Sequence, residues 1–278
     1  MYETPQVLKA INLALEEELG PYGNLSLEFL PEKRITSFIR AERKGVMAGE
    51  IIPNLICKVT HRNWDIFPIV HDSESFLAGE RLIRIEGPLK EILQFENVLL
   101  NYLQKMSAIA TFTSLIVKNL AESSLSPTHR AIAPPNFHIF ERWAVSCGGG
   151  IAGKMGNSDS IIINEKNFTN AKNTATFLQK IKNAASFHKK LILETGSISF
   201  LKRFLEYKLD GIILKNITLA ELPQLCAWIR ENMDIPVMIE GNYTLSQLPE
   251  LKNIAGDFLS LDSFSPEFST IPMSLQLE

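Results

Sequence analysis

The sequence predicts an α/β protein with a strand-rich α/β domain on its N-terminal side and a second domain built on a parallel sheet. Two observations support this prediction. Short, partly alternating apolar runs occur between residues 34 and 86, a pattern typical of strands with one exposed face. From about residue 129 onward, runs that are apolar at nearly every position alternate with helical segments, which indicates parallel strands buried on both faces.

The first domain begins with a helix. A capping hydroxyl on Thr4 precedes a proline suited to a first turn, and Gly20 marks the end of the apolar periodicity. Three strands and one short helix are expected next, the strands at 34–39, 66–70 and 81–86 and the helix at 54–59. A long helix over 89–106 and a second helix over 111–120 follow. We expect the first domain to span residues 1–110, the second to span 111–263, and the tail 264–278 to pack on the first.

The second domain contains six candidate strands separated by helical segments such as 198–207 and 219–232. Regular alternation of strands and helices implies a parallel sheet, either closed as a barrel or open and doubly wound. Six strands do not support a complete eight-stranded barrel. The candidate strands lie at 129–133, 160–163, 191–194, 211–214, 236–239 and 257–261.

Polar residues follow the apolar strands at the points where the strands end. Glu194 and Glu240 each end a wholly apolar run at matching places, and Lys215 ends the run between them. The two carboxylates could hold ribose hydroxyls or a metal ion, or they could cap the helices that follow. Contact of strand ends with solvent also explains part of the pattern. We expect these three residues and Lys154 to share one cavity, with Lys215 paired to Glu194 or Glu240.

Three consecutive glycines at 148–150 follow an apolar helix that contains Trp143. Glycine loses the most backbone entropy on folding, so three in a row call for a structural reason. One reason is a close approach of the backbone to a ligand or to another chain segment. The alternative is a helix end followed by a tight turn.

Composition excludes several classes of function. The formal net charge of −3 gives no general attraction for nucleic acid or anionic membranes, so neither is expected as a partner. No run approaches 18 apolar residues, and we expect neither a transmembrane span nor a signal peptide. The three cysteines fit no zinc spacing and indicate buried free thiols in a reducing compartment, hence a cytoplasmic protein. The five histidines show no metal-binding pattern, and no metal site is predicted from them.

The chain resembles the quinolinate phosphoribosyltransferases, also called nicotinate-nucleotide pyrophosphorylases (carboxylating), over nearly its whole length. The segments that carry the resemblance are ALEEELG at 14–20, ERKGVMAGE at 42–50, RIEGP at 84–88, ENVLLNYLQKMSAIAT at 96–111 and ERWAVSCGGG at 141–150. The resemblance implies an N-terminal α/β domain and an incomplete α/β barrel of six strands, in a homodimer or higher homo-oligomer. It also implies transfer of ribose 5-phosphate from phosphoribosyl pyrophosphate to quinolinate with loss of CO2. A small anionic substrate is then the expected partner, and Mg²⁺ is expected only if the chain is active.

The family gathers cations around these anions, and the chain departs from the family pattern at many of those positions. Asn97 stands where the resemblance implies an arginine, Lys215 stands in place of an aspartate, and Asn164 stands in place of a lysine. The paired glycines that would hold a phosphate are replaced in the stretch that contains Tyr243, and Asp262 falls in a phosphate loop.

The retained or substituted positions define a candidate site with an altered charge pattern. Glu194 and Glu240 are the candidate catalytic residues. The candidate substrate-binding residues are His129, Arg130, Lys154, Lys215 and Asn242. Three hypotheses stay open: an active phosphoribosyltransferase with an altered substrate, a catalytically silent homologue that acts as a binding module or partner subunit, and a different reaction on the same scaffold.

Overall fold

The computed structural model describes residues 3–129, 135–154, 156, 158–169, 174–184, 189–205, 207–262 and 270–278. The chain forms two compact units. The first comprises Met1–Leu115, Ala133–Gly150 and Glu267–Glu278, and the second comprises Ile116–Ile132 and Ile151–Pro266.

The first unit begins with helix α1, Pro5–Leu19. The Thr4 hydroxyl accepts a hydrogen bond from the Val7 amide at 3.3 Å, and Gly20 adopts a positive φ of 53° after the last turn, which confirms both predicted ends. The helix buries Val7 and Ile11. Helix α2, Ile52–Thr60, begins two residues before the predicted segment 54–59 and ends one residue after it.

A four-stranded antiparallel sheet and a short two-stranded antiparallel sheet form the strand-rich part of this unit. In the sheet, strand β1 (Arg34–Ala41) lies between β12 and β5, and β3 forms the far edge. Strand β12, near the end of the sequence, thus pairs with β1 near its beginning, with Ser37 opposite Leu277. The other strands are β2 (Gly45–Val46), β3 (Asp65–Pro68), β4 (Ser75–Phe76), β5 (Arg81–Pro88) and β12 (Met273–Leu277).

Helix α3 runs without a break over Leu89–Asn119, so the prediction of two helices at 89–106 and 111–120 is wrong. The second helix was predicted to begin at Thr111, and the structure has no helix end between Met106 and Thr111. In the structure the Thr111 hydroxyl donates to the Ser107 carbonyl at 2.6 Å, and the Thr113 hydroxyl donates to the Ile109 carbonyl at 2.8 Å. Their polar groups are therefore satisfied within the helix.

Helix α4, His138–Cys147, is fixed by a buried carboxylate and by the glycines that follow it. The indole of Trp143 donates to Asp72 Oδ2 at 2.7 Å, while Asp72 Oδ1 accepts from the amides of Gly49 and Glu50 at 2.8 and 3.0 Å. Burial of this carboxyl raises the pKa of Asp72. The carboxylate thus connects α4 to the loop that precedes α2.

The triple glycine is explained by contact with another chain segment. A Cβ on Gly148 would lie 2.4 Å from the carbonyl oxygen of Ala110 in α3, and Gly149 has a φ of 84°. Only glycine permits that backbone approach and that left-handed turn. Of the reasons considered for this motif, the structure shows a close helix–helix contact combined with a helix end.

The second unit is built on a parallel sheet of six strands in the order β6-β11-β10-β9-β8-β7, which confirms the predicted α/β class. The strands are β6 (Ser126–Thr128), β7 (Ser160–Asn164), β8 (Lys190–Thr195), β9 (Gly211–Lys215), β10 (Val237–Glu240) and β11 (Phe258–Ser260). The helices between them are α5 (Glu165–Thr169), α6 (Thr174–Ala184), α7 (Ile198–Lys202), α8 (Leu222–Asn232) and α9 (Leu248–Leu251).

Strand β6 lies three residues earlier than the predicted strand at 129–133. Pro127, which reads as a turn residue, forms part of the strand and pairs with Leu259 of β11. β6 ends the strand order, a position where the missing amide of a proline is tolerated. His129 follows the strand, and residues 130–133 fall outside the described part of the chain. The predicted helix at 198–207 is also shorter, because α7 ends at Lys202.

Candidate functional site

The strand register of the second unit brings the predicted catalytic carboxylates to one edge of the sheet. Glu240 lies directly opposite Lys215, and Glu194 on the next strand lies opposite Ile213. Because neighbouring parallel strands end on the same side of a sheet, the side chains of Glu194, Lys215 and Glu240 converge beyond the strand ends.

Lys215 forms ion pairs with both carboxylates. Its Nζ lies 3.1 Å from Glu240 Oε1 and 3.8 Å from Glu194 Oε1. Each glutamate side chain is only 13% exposed, whereas the lysine side chain is 40% exposed. The ammonium therefore offsets part of the negative charge of the carboxylates, and it is the member of the group that a ligand from solvent can reach most easily.

A cavity of about 360 Å³ lies beside this ion-paired group. Two hydroxyl residues that the sequence analysis did not single out, Thr195 and Ser197, contribute to its wall. The Thr195 hydroxyl donates to Glu165 Oε1 at 3.1 Å and accepts from the Ser197 amide at 3.0 Å. The run of hydroxyl residues directly after Glu194 was the available signal. The lining residues are Asn164, Glu165, Lys166, Glu194, Thr195, Gly196, Ser197 and Lys215.

Among the described residues around this cavity, carboxylates outnumber ammonium groups by one. Glu165, Glu194 and Glu240 supply three carboxylates, and Lys166 and Lys215 supply two ammonium groups. The single positive charge of Lys215 offsets part of the negative charge of Glu194 and Glu240. The arrangement can hydrogen-bond hydroxyl groups through its carboxylates and can offer remaining N–H groups of Lys215 to an anionic oxygen.

His129 directly follows β6, and its side chain contacts the loop that contains Lys154. The imidazole of His129 is 1% exposed, and its Nδ1 accepts a hydrogen bond from the Gly153 amide at 3.2 Å. A Cβ on Gly153 would lie 1.6 Å from the His129 carbonyl oxygen, so this backbone approach requires glycine. A neutral imidazole that accepts at Nδ1 carries its proton on Nε2.

Of the other predicted binding residues, Lys154 and Asn242 are not among the described residues that line the cavity beside Lys215. Lys154 is half-buried directly after Gly153, and Asn242 is exposed two residues beyond β10. Arg130 lies outside the described residues. The structure thus brings together Glu194, Lys215 and Glu240 from the predicted set.

Tyr243 fills the crevice between the loops that follow β9 and β10. Its hydroxyl donates to the Ile217 carbonyl at 2.9 Å, and a Cβ on Gly241 would lie 2.7 Å from its ring. The side chain is buried, and burial raises the pKa of the Tyr243 phenol to about 12. The Tyr243 side chain is therefore packed between Gly241 and the Ile217 carbonyl.

Asn97, a position that the sequence analysis singled out, lies on α3 in the first unit. Its side-chain amide donates to Glu18 Oε1 of α1 at 2.8 Å. Both residues line a cavity of about 410 Å³ within that unit. The amide is therefore engaged by a neighbouring carboxylate.

Two family models match consecutive parts of the chain. The quinolinate phosphoribosyl transferase N-terminal domain matches residues 22–107, and the C-terminal domain of the same family matches residues 109–276. The chain belongs to the quinolinate phosphoribosyl transferase family. The resemblance noted in the sequence is thereby confirmed.

Curated relatives carry the corresponding names. A probable nicotinate-nucleotide pyrophosphorylase [carboxylating] of Archaeoglobus fulgidus is 26% identical over 271 residues, which cover 92% of this chain and 99% of the relative. A protein of the same name from Bacillus subtilis is 23% identical over 98% of this chain and 93% of its own length.

Solved structures of family members share the fold. The nicotinate-nucleotide pyrophosphorylase of Francisella tularensis has a TM-score of 0.88 at 22% identity and covers 100% of this chain and 98% of its own. The Ehrlichia chaffeensis protein has a TM-score of 0.89 at 18% identity over the full length of both chains. At these identities the comparison establishes the fold of this quinolinate phosphoribosyl transferase family member.

The residues present do not fit a magnesium ion bound by the protein. Among the described residues, no group of three or more His, Cys, Asp or Glu side chains is arranged to hold a metal. The Lys215 ammonium occupies the space near Glu194 and Glu240 in which a metal ion would bind their carboxylate oxygens.

Among the helices of the described chain, none is long and apolar enough to cross a membrane.

Proposed function

We propose that this chain transfers a phosphoribosyl group from phosphoribosyl pyrophosphate to a small heterocyclic carboxylate, with Glu194, Lys215 and Glu240 at the reacting centre. The observation that carries the proposal is the convergence of these three residues at the ends of adjacent parallel strands. Membership of the quinolinate phosphoribosyl transferase family across both domains supports the same reaction class.

The carboxylates suit the charge that develops in such a transfer. As the bond from ribose C1 to the pyrophosphate oxygen breaks, positive charge builds up on the ribose ring until the acceptor nitrogen bonds to C1. Glu194 and Glu240 are placed to stabilise that charge and to accept hydrogen bonds from ribose hydroxyls. The leaving pyrophosphate takes the bonding electron pair. With quinolinate the acceptor then loses a carboxylate as CO2, and the ring carbon that carried it takes up a proton from solvent.

Lys215 is placed to contact an anionic oxygen of the donor or the acceptor. His129, Arg130, Lys154 and Asn242 remain proposed substrate-binding residues, in addition to this lysine. A magnesium ion that accompanies the reaction would arrive on the pyrophosphate of the donor, and no step proposed for the chain depends on it.

We expect turnover of quinolinate itself to be slow. One charge-assisted hydrogen bond to a buried anion contributes about 1.5–3 kcal/mol, and each ~1.4 kcal/mol corresponds to a factor of ten in rate. Lys215 already pairs with two carboxylates, so it attracts a dianionic acceptor less strongly than a lysine without ion pairs would. An acceptor with a single carboxylate, such as nicotinate, suits this balance better.

A second candidate function is that of a catalytically silent homologue which acts as a binding or partner subunit. The specific observation in its favour is the same double ion pair, because a lysine held between both carboxylates can fill the site by itself.

We also propose that the chain forms a homodimer, which light scattering coupled to size-exclusion chromatography tests directly. A mass equal to one chain would contradict the dimer.

The experiment that separates the two functions measures product formation and binding on the same preparation. Calorimetric titration with phosphoribosyl pyrophosphate, quinolinate, nicotinate and phthalate gives the affinities. Single-turnover incubation followed by chromatography detects the mononucleotide. Product formation that falls about 10- to 100-fold in Glu240→Gln supports transfer, because one charge-assisted contact is lost.

Glu250→Gln is the matched control, since Glu250 is an exposed carboxylate on α9 in the same unit. An equal loss of product in both variants would contradict a role for Glu240. Binding of a donor or acceptor without any product in the unmodified chain would favour the silent homologue.

A further inference from the structure

The loops that follow β9 and β10 carry two of the three converging residues, because Lys215 ends β9 and Glu240 ends β10. The two residues lie opposite each other in the strand register, and Lys215 Nζ lies 3.1 Å from Glu240 Oε1. Such a distance between two side chains is kept only where the main chain beside them is held in place. The contacts between these two loops therefore bear on the geometry of the site.

One contact between the loops is made by the backbone. The Asn216 amide, directly after Lys215, donates a hydrogen bond to the Glu240 carbonyl at 2.8 Å. Asn216 has a positive φ of 56°, a left-handed conformation in which asparagine is enriched. The backbone thus supplies one tie, immediately beside the ion pair.

The Tyr243 side chain supplies a second tie between the same loops. Its hydroxyl donates to the Ile217 carbonyl at 2.9 Å, and both residues are buried. Burial raises the pKa of the phenol to about 12, so the hydroxyl keeps its proton and remains a donor at neutral pH. The donor lies three residues beyond Glu240, and the acceptor lies two residues beyond Lys215.

The end of the Tyr243 ring also packs against the main chain that follows Glu240. A Cβ on Gly241 would lie 2.7 Å from Tyr243 Cζ and 2.8 Å from its hydroxyl oxygen, which is closer than the 3.0 Å that Cβ atoms keep from other atoms. A side chain at position 241 is therefore incompatible with the position of the phenol. The phenol thus contacts both loops, one at Gly241 and the other at the Ile217 carbonyl.

We propose that Tyr243 is a positioning residue, whose phenol ties the loop after β10 to the loop after β9 and thereby holds the Glu240 carboxylate and the Lys215 ammonium within ion-pairing distance. The tie acts on the main chain beside the ion pair, so its effect does not depend on which other groups contact the Glu240 side chain. The inference deepens the proposed function, on which its meaning for catalysis rests.

Hydrogen exchange of single amides, followed by NMR, tests the tie without a substrate. Tyr243→Phe keeps the ring and removes only the hydroxyl. Because one neutral hydrogen bond between the loops is lost, we expect the Asn216 amide to exchange about two- to tenfold faster in this variant.

The Ile212 amide is the internal reference. It donates to the Pro236 carbonyl at 2.9 Å, near the opposite end of β9 and β10. Its exchange rate should not change, whereas a general loss of stability would accelerate both amides.

Gly241→Ala is a second, independent perturbation, because its methyl group would take the position of the Tyr243 ring end and push the hydroxyl away from Ile217. We expect it to accelerate exchange of the Asn216 amide as well. Tyr102→Phe is the matched control, since Tyr102 is a buried tyrosine of the first unit and its hydroxyl should not affect Asn216. Circular dichroism shows whether each variant is folded.

Kinetics link the tie to the proposed transfer. In an active chain, Tyr243→Phe should lower kcat for mononucleotide formation about two- to tenfold and change KM for phosphoribosyl pyrophosphate less, because the orientation of Glu240 matters most as charge develops on the ribose.

Three results would overturn the inference. The first is an unchanged exchange rate of the Asn216 amide in a folded Tyr243→Phe variant or, if that variant does not fold, in Gly241→Ala. The second is equal acceleration of Asn216 and Ile212, and the third is an unchanged kcat in an active chain. A chain that forms no mononucleotide would contradict the proposed transfer and would leave the exchange result valid.

Discussion

Replacement of Gly153 by alanine tests the contact that holds the loop after β6 against His129. A Cβ at position 153 would lie 1.6 Å from the His129 carbonyl oxygen and 2.8 Å from its carbonyl carbon. Contacts below 3.0 Å require movement, so these backbone segments must separate by about 1.4 Å. The contacting atoms belong to the backbone and cannot move aside as a flexible side chain would.

The expected loss of stability follows from two contributions. Forcing extra volume into a packed contact costs about 1–3 kcal/mol. The separation also breaks the hydrogen bond from the Gly153 amide to His129 Nδ1, which contributes about 1 kcal/mol. We therefore expect Gly153→Ala to lower the free energy of unfolding by about 2–4 kcal/mol.

Gly156→Ala is the internal control, because nothing lies within 4 Å of a Cβ built on Gly156. The two variants share the same change in unfolded-chain entropy, about 0.4–1 kcal/mol in favour of alanine at a compatible position. Urea unfolding followed by fluorescence gives both values. If the two variants differ by less than about 0.5 kcal/mol, the Gly153 contact does not have the strength inferred here.

Three further outcomes are expected. Asp72→Asn should lower the free energy of unfolding by about 2 kcal/mol, since the amide presents a donor to the Trp143 indole in place of an acceptor. The raised pKa of Asp72 means that the native state holds this proton to higher pH than the unfolded chain does. The stabilisation that comes from this bound proton is therefore lost as pH rises from the Asp72 pKa of the unfolded chain through that of the native state. If Asp72→Asn leaves the pH dependence of the free energy of unfolding unchanged in the acid range, this reasoning is contradicted. The Glu50 carboxylate, 2.7 Å from His71 Nδ1, raises the pKa of His71, and NMR titration should show that pKa falling towards its ordinary value in Glu50→Gln. Burial raises the pKa values of the Cys57, Cys147 and Cys226 thiols to about 11, 12 and 11, respectively. Thiol reagents should therefore leave the native protein unmodified at mildly alkaline pH and label three thiols after denaturation. Fast labelling of the native protein would be inconsistent with this burial.

The part of the site that was predictable from sequence depends on one geometric rule. Runs that are apolar at every residue mark parallel strands, and the first polar residue after each run marks the functional edge of the sheet. Applied to Glu194, Lys215 and Glu240, the rule placed all three together and anticipated the ion pairs that Lys215 makes. Thr195 and Ser197 escaped notice because hydroxyl residues after a strand are common in ordinary turns.

The features that could not be predicted depend on contacts between residues far apart in sequence. The boundary expected between residues 106 and 111 is absent because α3 runs through Leu89–Asn119, and the Thr111 and Thr113 hydroxyls bond to carbonyls of its preceding turn. Pro127 suggested a turn but occupies an edge strand. Gly153 carried no local sign that its backbone would lie against His129, because that contact joins two loops after separate elements.

Strand β12, at Met273–Leu277, has a consequence for synthesis of the chain on the ribosome. It pairs with β1, at Arg34–Ala41, so the antiparallel sheet of the first unit stays incomplete until translation has passed through the whole second unit. Until then β1 presents an unpaired edge to other nascent chains, which is a template for association. A fragment that stops before residue 273 would keep that edge permanently, and aggregation during expression is its expected fate.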